Sequence, residues 1–259
     1  MPTYRTKGIV IKYSDLRETD RIITVFTANL GKVQAVAKGV RKTLSKLGGH
    51  LDLFNIVQLE LANGRNLETV TGVQTVTNFS RIRTSLSKTS QVYYLTELID
   101  QLVPAEYKDT RLFDLLASTL KILDSDVCDD EITESLLAQA FKVKLLQLLG
   151  FAPQLNQCGQ CSQPITTTGS YFFSNQLGSL KCRSCWDSKN QGTEIALPAL
   201  KILRVLAREN LLYLSKVNAS QQGLAEAERI LDNYIKYIIE KEPRSLRFVA
   251  KVKGLAKRS

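Results

Sequence analysis

The chain has 259 residues, with 35 Lys and Arg against 25 Asp and Glu and a formal net charge of +10, which points to a polyanionic partner and away from an acidic, solvating chain. A hydrophobic content of 44% and a mean hydropathy of −0.10 suit a folded globular protein, long enough for two domains. No uninterrupted apolar stretch reaches the roughly 20 residues of a membrane span. The opening residues, MPTYRTKGIVIK, lack the apolar core and small-residue cleavage site of a secretory signal, so the chain is expected in the cytoplasm.

Up to residue 79 the pattern is that of strands. The runs 6–12, 20–27, 31–39, 53–62 and 67–76 are short, β-rich and separated by turn residues. In the fourth, Val57, Leu59 and Leu61 alternate with Gln58 and Glu60, the period of a strand with one buried face. Five short strands predict a small closed barrel, the OB-fold among the candidates. The stretch GKVQAVAKGVRKTLSK puts Lys32 and Lys38 six residues apart on one expected strand, and Arg41, Lys42 and Lys46 continue the charge into the following loop. A phosphate backbone fits such a row, with Tyr4, Tyr13 and Phe26 as nearby stacking surfaces. A lysine-guarded edge strand is the competing reading.

From residue 80 the period becomes helical. Residues 80–157 hold 8 basic and 11 acidic side chains, whereas residues 1–79 hold 11 and 6 and residues 193–259 hold 13 and 7, so the positive excess sits toward the two ends. The run ITESLLAQAFKVKLLQLL stops at Gly150 with Pro153 beyond it, an ordinary helix end. Later, Leu224, Ala227, Leu231, Tyr234 and Ile238 mark one helical stripe. The last stretch, with Arg244, Arg247, Lys251, Lys253, Lys257 and Arg258, is either a second basic surface or a solvated tail.

Between the helical segments lies C-x2-C-x20-C-x2-C, formed by Cys158, Cys161, Cys182 and Cys185. A reducing compartment disfavours disulfides, and this spacing suits one tetrahedral Zn²⁺ held by four thiolates. A closed four-sulfur shell has no open position for water or substrate, which makes the zinc structural. The intervening segment, rich in Thr, Ser, Gly and aromatics, reads as one or two hairpins and is expected to need the metal to fold. Such a ribbon either touches nucleic acid or only staples the fold. Cys128, apart from the pairs, reads as an ordinary thiol.

No reaction centre is visible. His50 is the single histidine and lies in a Gly-Gly turn context, and no P-loop pattern occurs. The acids Asp124, Asp126, Asp129, Asp130 and Glu131 suit the start of a helix, and a Mg²⁺-dependent nuclease built on Asp129 and Asp130 is the rival reading. An RNA-binding or transcription-associated zinc-ribbon protein is a second.

Three stretches, TDRIITVFTANLGKVQAVAKGVRK, FKVKLLQLLGFAPQLNQCGQC and EPRSLRF, occur in an order that resembles the bacterial RecO family of recombination mediators and DNA repair proteins, over nearly the whole chain. The resemblance implies an α+β chain: an OB-fold DNA-binding domain over 1–79, then a helical domain over 80–259 interrupted by a zinc module at 155–190. It implies a non-enzymatic role in the bacterial cytoplasm and nucleoid: binding single- and double-stranded DNA, annealing complementary strands, contacting the C-terminal tail of single-stranded-DNA-binding protein, and joining RecR to load recombinase. The family's basic barrel surface maps onto Lys38, Arg41 and Lys42, and more loosely onto Lys7, Arg21 and Lys32. Some members lack the four cysteines, so the metal is expected to be dispensable to the shared activity.

Overall fold

The computed structural model describes residues 2–187 and 192–256; residues 188–190 of the expected zinc module, and Lys257 and Arg258 of the basic tail, lie outside the described residues. Five strands form a closed barrel: β1 (Thr3–Asp15), β2 (Arg21–Thr27), β3 (Gly31–Ala37), β4 (Ile56–Ala62) and β5 (Glu68–Thr77), in the order β1-β2-β3-β5-β4. This is the OB-fold connectivity expected of the N-terminal strands. β1 does double duty: its first half pairs with β4 and its second half with β2, with a bulge between Val10 and Lys12 that lets the strand curl. Gly8 is needed at this crossover, because a Cβ there would lie 2.3 Å from Cγ1 of Val25.

Strand alternation fills the barrel. Val57, Leu59 and Leu61 of β4 are buried as their period predicts, and join Val10, Ile23, Val25, Ala35, Ala37 and Val70 in one apolar core. Closure depends on a short parallel contact between β3 and β5, Ala35 opposite Glu68 and Val36 opposite Thr69. The outward face of β2 is covered too. Phe26 is only 1% exposed and packs against Phe113, so it offers no stacking surface, contrary to the expectation from sequence.

Packing divides the chain into two compact units, residues 1–124 with 245–259, and residues 125–244. In the first, the barrel is joined by α1 (Ser80–Thr84), α2 (Leu86–Leu102), α3 (Thr110–Leu123) and most of α7 (Arg244–Ala256). Ser85 and Asp109 cap α2 and α3 by accepting from the backbone N–H groups of Lys88 and Arg111. The start of α7 is held by Glu97 of α2, whose Oε2 accepts from the Ser245 N–H at 2.8 Å and from the Ser245 hydroxyl. A carboxylate there also suits the positive end of the helix dipole. Phe248 of α7 and Phe54 both pack edge-on against Tyr93.

The second unit is built around α4 (Glu131–Leu148), with α5 (Leu197–Arg208), α6 (Gln221–Ile239) and a sheet of β6 (Gln154–Cys158), β7 (Tyr171–Ser174), β8 (Ser179–Cys182) and β9 (Gly192–Ile195), ordered β6-β8-β7-β9. β7 and β8 are the hairpin expected between the cysteine pairs. Asp130 caps α4, accepting from the N–H and hydroxyl of Thr133, and these bonds hold its carboxyl below the usual range. The helix ends at Gly150 with φ of 83°, as its sequence predicts.

Buried residues surround α4 on nearly every side, Gln139 and Lys142 among them. The Lys142 ammonium lies 2.7 Å from the Asp232 carboxylate of α6, with side chains 1% and 11% exposed. Desolvating both charges costs much of what their attraction returns, but removing one partner is worse. Lys142→Met is expected to destabilise the fold by about 3 kcal/mol, and adding Asp232→Leu to recover much of that loss. Urea unfolding of the two variants checks the order; a double variant less stable than Lys142→Met would contradict it.

Candidate metal centre and nucleic-acid interface

Backbone turns bring the four cysteines together. Cys158 ends β6 and Cys182 ends β8, and the parallel pairing of Cys158 with Leu180 sets the two C-x-x-C turns side by side. Each turn is closed by backbone bonds, Ser162 N–H to the Cys158 carbonyl at 2.9 Å and Cys185 N–H to the Cys182 carbonyl at 3.1 Å. Gly159 permits the close approach, since a Cβ would fall 2.0 Å from the Ser179 hydroxyl.

All four Sγ atoms lie within 4.8 Å of one another. The Cys161 and Cys182 sulfurs are 3.8 Å apart, far beyond the ~2.05 Å of a disulfide. That separation matches the edge of about 3.8 Å expected for a tetrahedron with metal–sulfur arms of ~2.3 Å. Burial raises the Cys158 thiol, but the N–H groups of Cys161, Cys182 and Gln160 outweigh it and bring the pKa down to about 6. Cys185, hydrogen-bonded to the Cys161 and Cys182 thiols, is pushed up to about 12. Four sulfurs so close do not ionise together unless a cation offsets their repulsion, and a metal ion supplies that charge. The donor set and its geometry therefore fit a metal ion. Cys128 is buried and stands outside the cluster.

The module has a small apolar support of its own. Trp186 stacks on Phe172 at 4.3 Å, with the Arg183 guanidinium over both rings. From α5, Arg204 donates to the carbonyls of Leu155 and Ile165, on either side of the first pair. Phe173 meets Tyr234 of α6 edge-on.

The expected basic residues of the barrel separate into two groups. Arg21, Lys38, Arg41 and Lys42 gather where the β1–β2 turn meets the segment after β3. Asp15, paired with Arg21 in the β1–β2 register, accepts from Arg21 Nε at 2.9 Å and lies 3.3 Å from Arg41 Nη1. The Arg21 guanidinium also covers the Tyr13 ring at 4.1 Å. Lys38, exposed, follows Ala37, the residue opposite Arg21 in the β2–β3 register.

Asp20 ties the two loops together. Its Oδ1 accepts from the Gly39 N–H at 2.7 Å, while the Thr19 carbonyl accepts from the Arg41 N–H. The bond from Gly39, with Arg17 and Lys38 nearby, holds the Asp20 carboxyl below its usual range.

Lys32 and Lys7 do not join this group. Lys38 lies past the end of β3, so Lys32 and Lys38 do not form the single-strand row expected from their spacing. The Lys32 side chain is 12% exposed and its ammonium group meets the Asp100 carbonyl at 2.5 Å and its carboxylate at 3.7 Å. Burial drives the pKa of Lys32 down. Lys7 is exposed, opposite Gln58, roughly 25 Å along β1 from Asp15. Sequence reasoning missed Arg17, exposed in the β1–β2 turn, and the anchoring acids Asp15 and Asp20. The alternating charges of YSDLRETDR around a turn were the available signal.

The acidic run has other uses. Asp124 accepts from the Ile82 N–H and Asp130 caps α4. His50 lies in a 3-10 turn beside Thr75, as the loop reading expects. No helix among the described residues is long and apolar enough to cross a membrane.

Residues 1–79 match the family model described as "Recombination protein O N terminal", and residues 83–247 match "Recombination protein O C terminal". The chain is 36% identical over 256 residues to the DNA repair protein RecO of Roseiflexus, covering 99% of this chain and 88% of that protein. It is 34% identical over 243 residues to the RecO of Dehalococcoides mccartyi, covering 94% and 93%. Against the RecO of Symbiobacterium thermophilum the identity is 31% over 250 residues, covering 96% and 97%.

Because its folded pKa is depressed, Asp20 contributes stability above its unfolded value of about 3.9, and that contribution is lost as pH falls through the folded value. Asp20→Asn is therefore expected to melt below wild type at pH 7, with the gap closing below about pH 4. Thermal unfolding across that range is the check. A gap independent of pH would show that the carboxylate charge is not what joins the loops.

Proposed function

The chain belongs to the RecO family of DNA repair proteins, and on that premise we propose that it is a non-enzymatic recombination mediator that binds single- and double-stranded DNA and anneals complementary strands. The observation that supports this reading best is the gathering of Arg17, Arg21, Lys38, Arg41 and Lys42 at one end of an OB-fold barrel. Cations there displace counterions from two polyanionic strands and ease their approach, with no nucleotide hydrolysis. In this reading residues 1–79 form the DNA-binding domain, and the protein also contacts RecR and the C-terminal tail of single-stranded-DNA-binding protein. The protein then helps load recombinase onto coated DNA, in the bacterial cytoplasm and nucleoid.

Lys38, Arg41 and Lys42 are assigned to phosphates, which position a strand without reading it. Arg21, on Asp15 with Arg41, belongs to the same surface, whereas Lys32, bound to Asp100, and Lys7, on the other half of β1, have lesser parts. Changing Lys38, Arg41 and Lys42 to Ala is expected to weaken binding to every single-stranded sequence alike. The dependence of log affinity on log salt should flatten by about two units, at ~0.7 per lost contact. Stability should change by less than ~0.5 kcal/mol, since the three side chains are exposed. An unchanged slope would move the DNA to another surface.

The four-cysteine centre is assigned one structural Zn²⁺, held by Cys158, Cys161, Cys182 and Cys185. Elemental analysis of protein purified without chelator should give about one zinc per chain. Cys158→Ser with Cys161→Ser should lower the melting temperature well before it lowers DNA affinity measured on folded protein. Absence of stoichiometric metal, or loss of DNA binding at unchanged stability, would refute the assignment.

A further inference from the structure

Leu44 sits at the tip of the basic turn after β3 and is 93% exposed, whereas among the other described residues no large apolar side chain exceeds 67%. Single exposed hydrophobes are ordinary on protein surfaces. This one differs in where it stands and how it is held. The turn that presents it is built by backbone and side-chain bonds, Lys42 N–H to the Gly39 carbonyl, Ser45 N–H to the Lys42 carbonyl and Leu47 N–H to the Ser45 hydroxyl. Exposed Lys42 and Lys46 flank Leu44 two residues away on either side, and Arg41 precedes them.

Charge selects the occupant. A hydrophobic protein surface would have to desolvate these neighbouring cations, whereas a nucleic acid offers phosphates to them and flat apolar bases to the leucine. We propose that Leu44 is a wedge that inserts between neighbouring bases of single-stranded DNA while the surrounding lysines hold the phosphates. The inference rests on the DNA-binding reading above and extends it from the backbone to the bases. Apolar side chains, Leu among them, act this way between base steps in DNA-bending proteins. A strand held with its bases parted cannot stack on itself, and its Watson–Crick edges stay open to a complement.

The test uses the full-length protein and an oligonucleotide carrying 2-aminopurine between adenines, whose fluorescence rises on unstacking. Wild type is expected to raise the signal, and Leu44→Ser to abolish most of the rise. Affinity should fall about fivefold, the lower end of the loss for one base contact. The salt slope should stay at the wild-type value, because no phosphate contact is removed. Leu44→Phe should restore the signal. Both variants should melt like wild type, since the side chain is exposed. Wild-type affinity and fluorescence in Leu44→Ser would overturn the wedge alone, as would a loss of affinity accompanied by a flatter salt slope. Failure of wild type itself to bind DNA would overturn the functional reading, and the wedge with it.

Discussion

Cations cannot be gathered on one surface without a means of offsetting their repulsion. In the barrel unit the means is a pair of carboxylates: Asp15 lies between Arg21 and Arg41, and Asp20 holds the Gly39 N–H. The second bond fixes the backbone on either side of it, so the β1–β2 turn and the loop after β3 present their charges as one surface. The acids do not cancel that surface, because Lys38 and Lys42 reach solvent beyond them. An ion pair at an exposed site is weak, and a phosphate can displace one partner without unfolding the turn.

The strand barrel supplies the geometry that makes such stitching possible. β1 serves both neighbours through its bulge, so its far end arrives beside the end of β3. The metal module shows the same logic with sulfur in place of charge. There a parallel pairing of β6 with β8 sets two turns side by side, and the ligands converge because the strands do. In both places short-range turn chemistry prepares the groups and a long-range strand pairing brings them together.

Sequence periodicity exposed the strand barrel, the helix ends and the cysteine centre, because each is written in local spacing: Val57, Leu59 and Leu61 in alternation, Gly150 at a helix end, two C-x-x-C pairs. What it hid depends on partners distant in the chain. Lys32 reads as a free surface cation until Asp100, 68 residues later, is seen to hold it. Phe26 reads as an available ring until Phe113 covers it. Lys142 has the spacing of an exposed position on an amphipathic helix, but α4 is enclosed on nearly every side and Asp232 receives the charge. Arg17 escaped notice because its loop meets the other cations through bonds from Gly39 and Arg41 to Asp20 and Thr19, which lie far apart in the chain.

The bond from Ser245 to Glu97 spans 148 residues of chain. A polypeptide made from its N-terminus presents the barrel, α2 and α3 long before α7 exists, and the whole of residues 125–244 is made in between. The first unit is thus begun before residues 125–244 are made and completed only after them. Until α7 leaves the ribosome, Tyr93 lacks Phe248 and the Glu97 carboxylate lacks the N–H it serves. A transcript or ribosome that stops short of residue 245 would leave the second unit with all its residues and the barrel's unit incomplete, so damage to the end of the chain falls on its beginning.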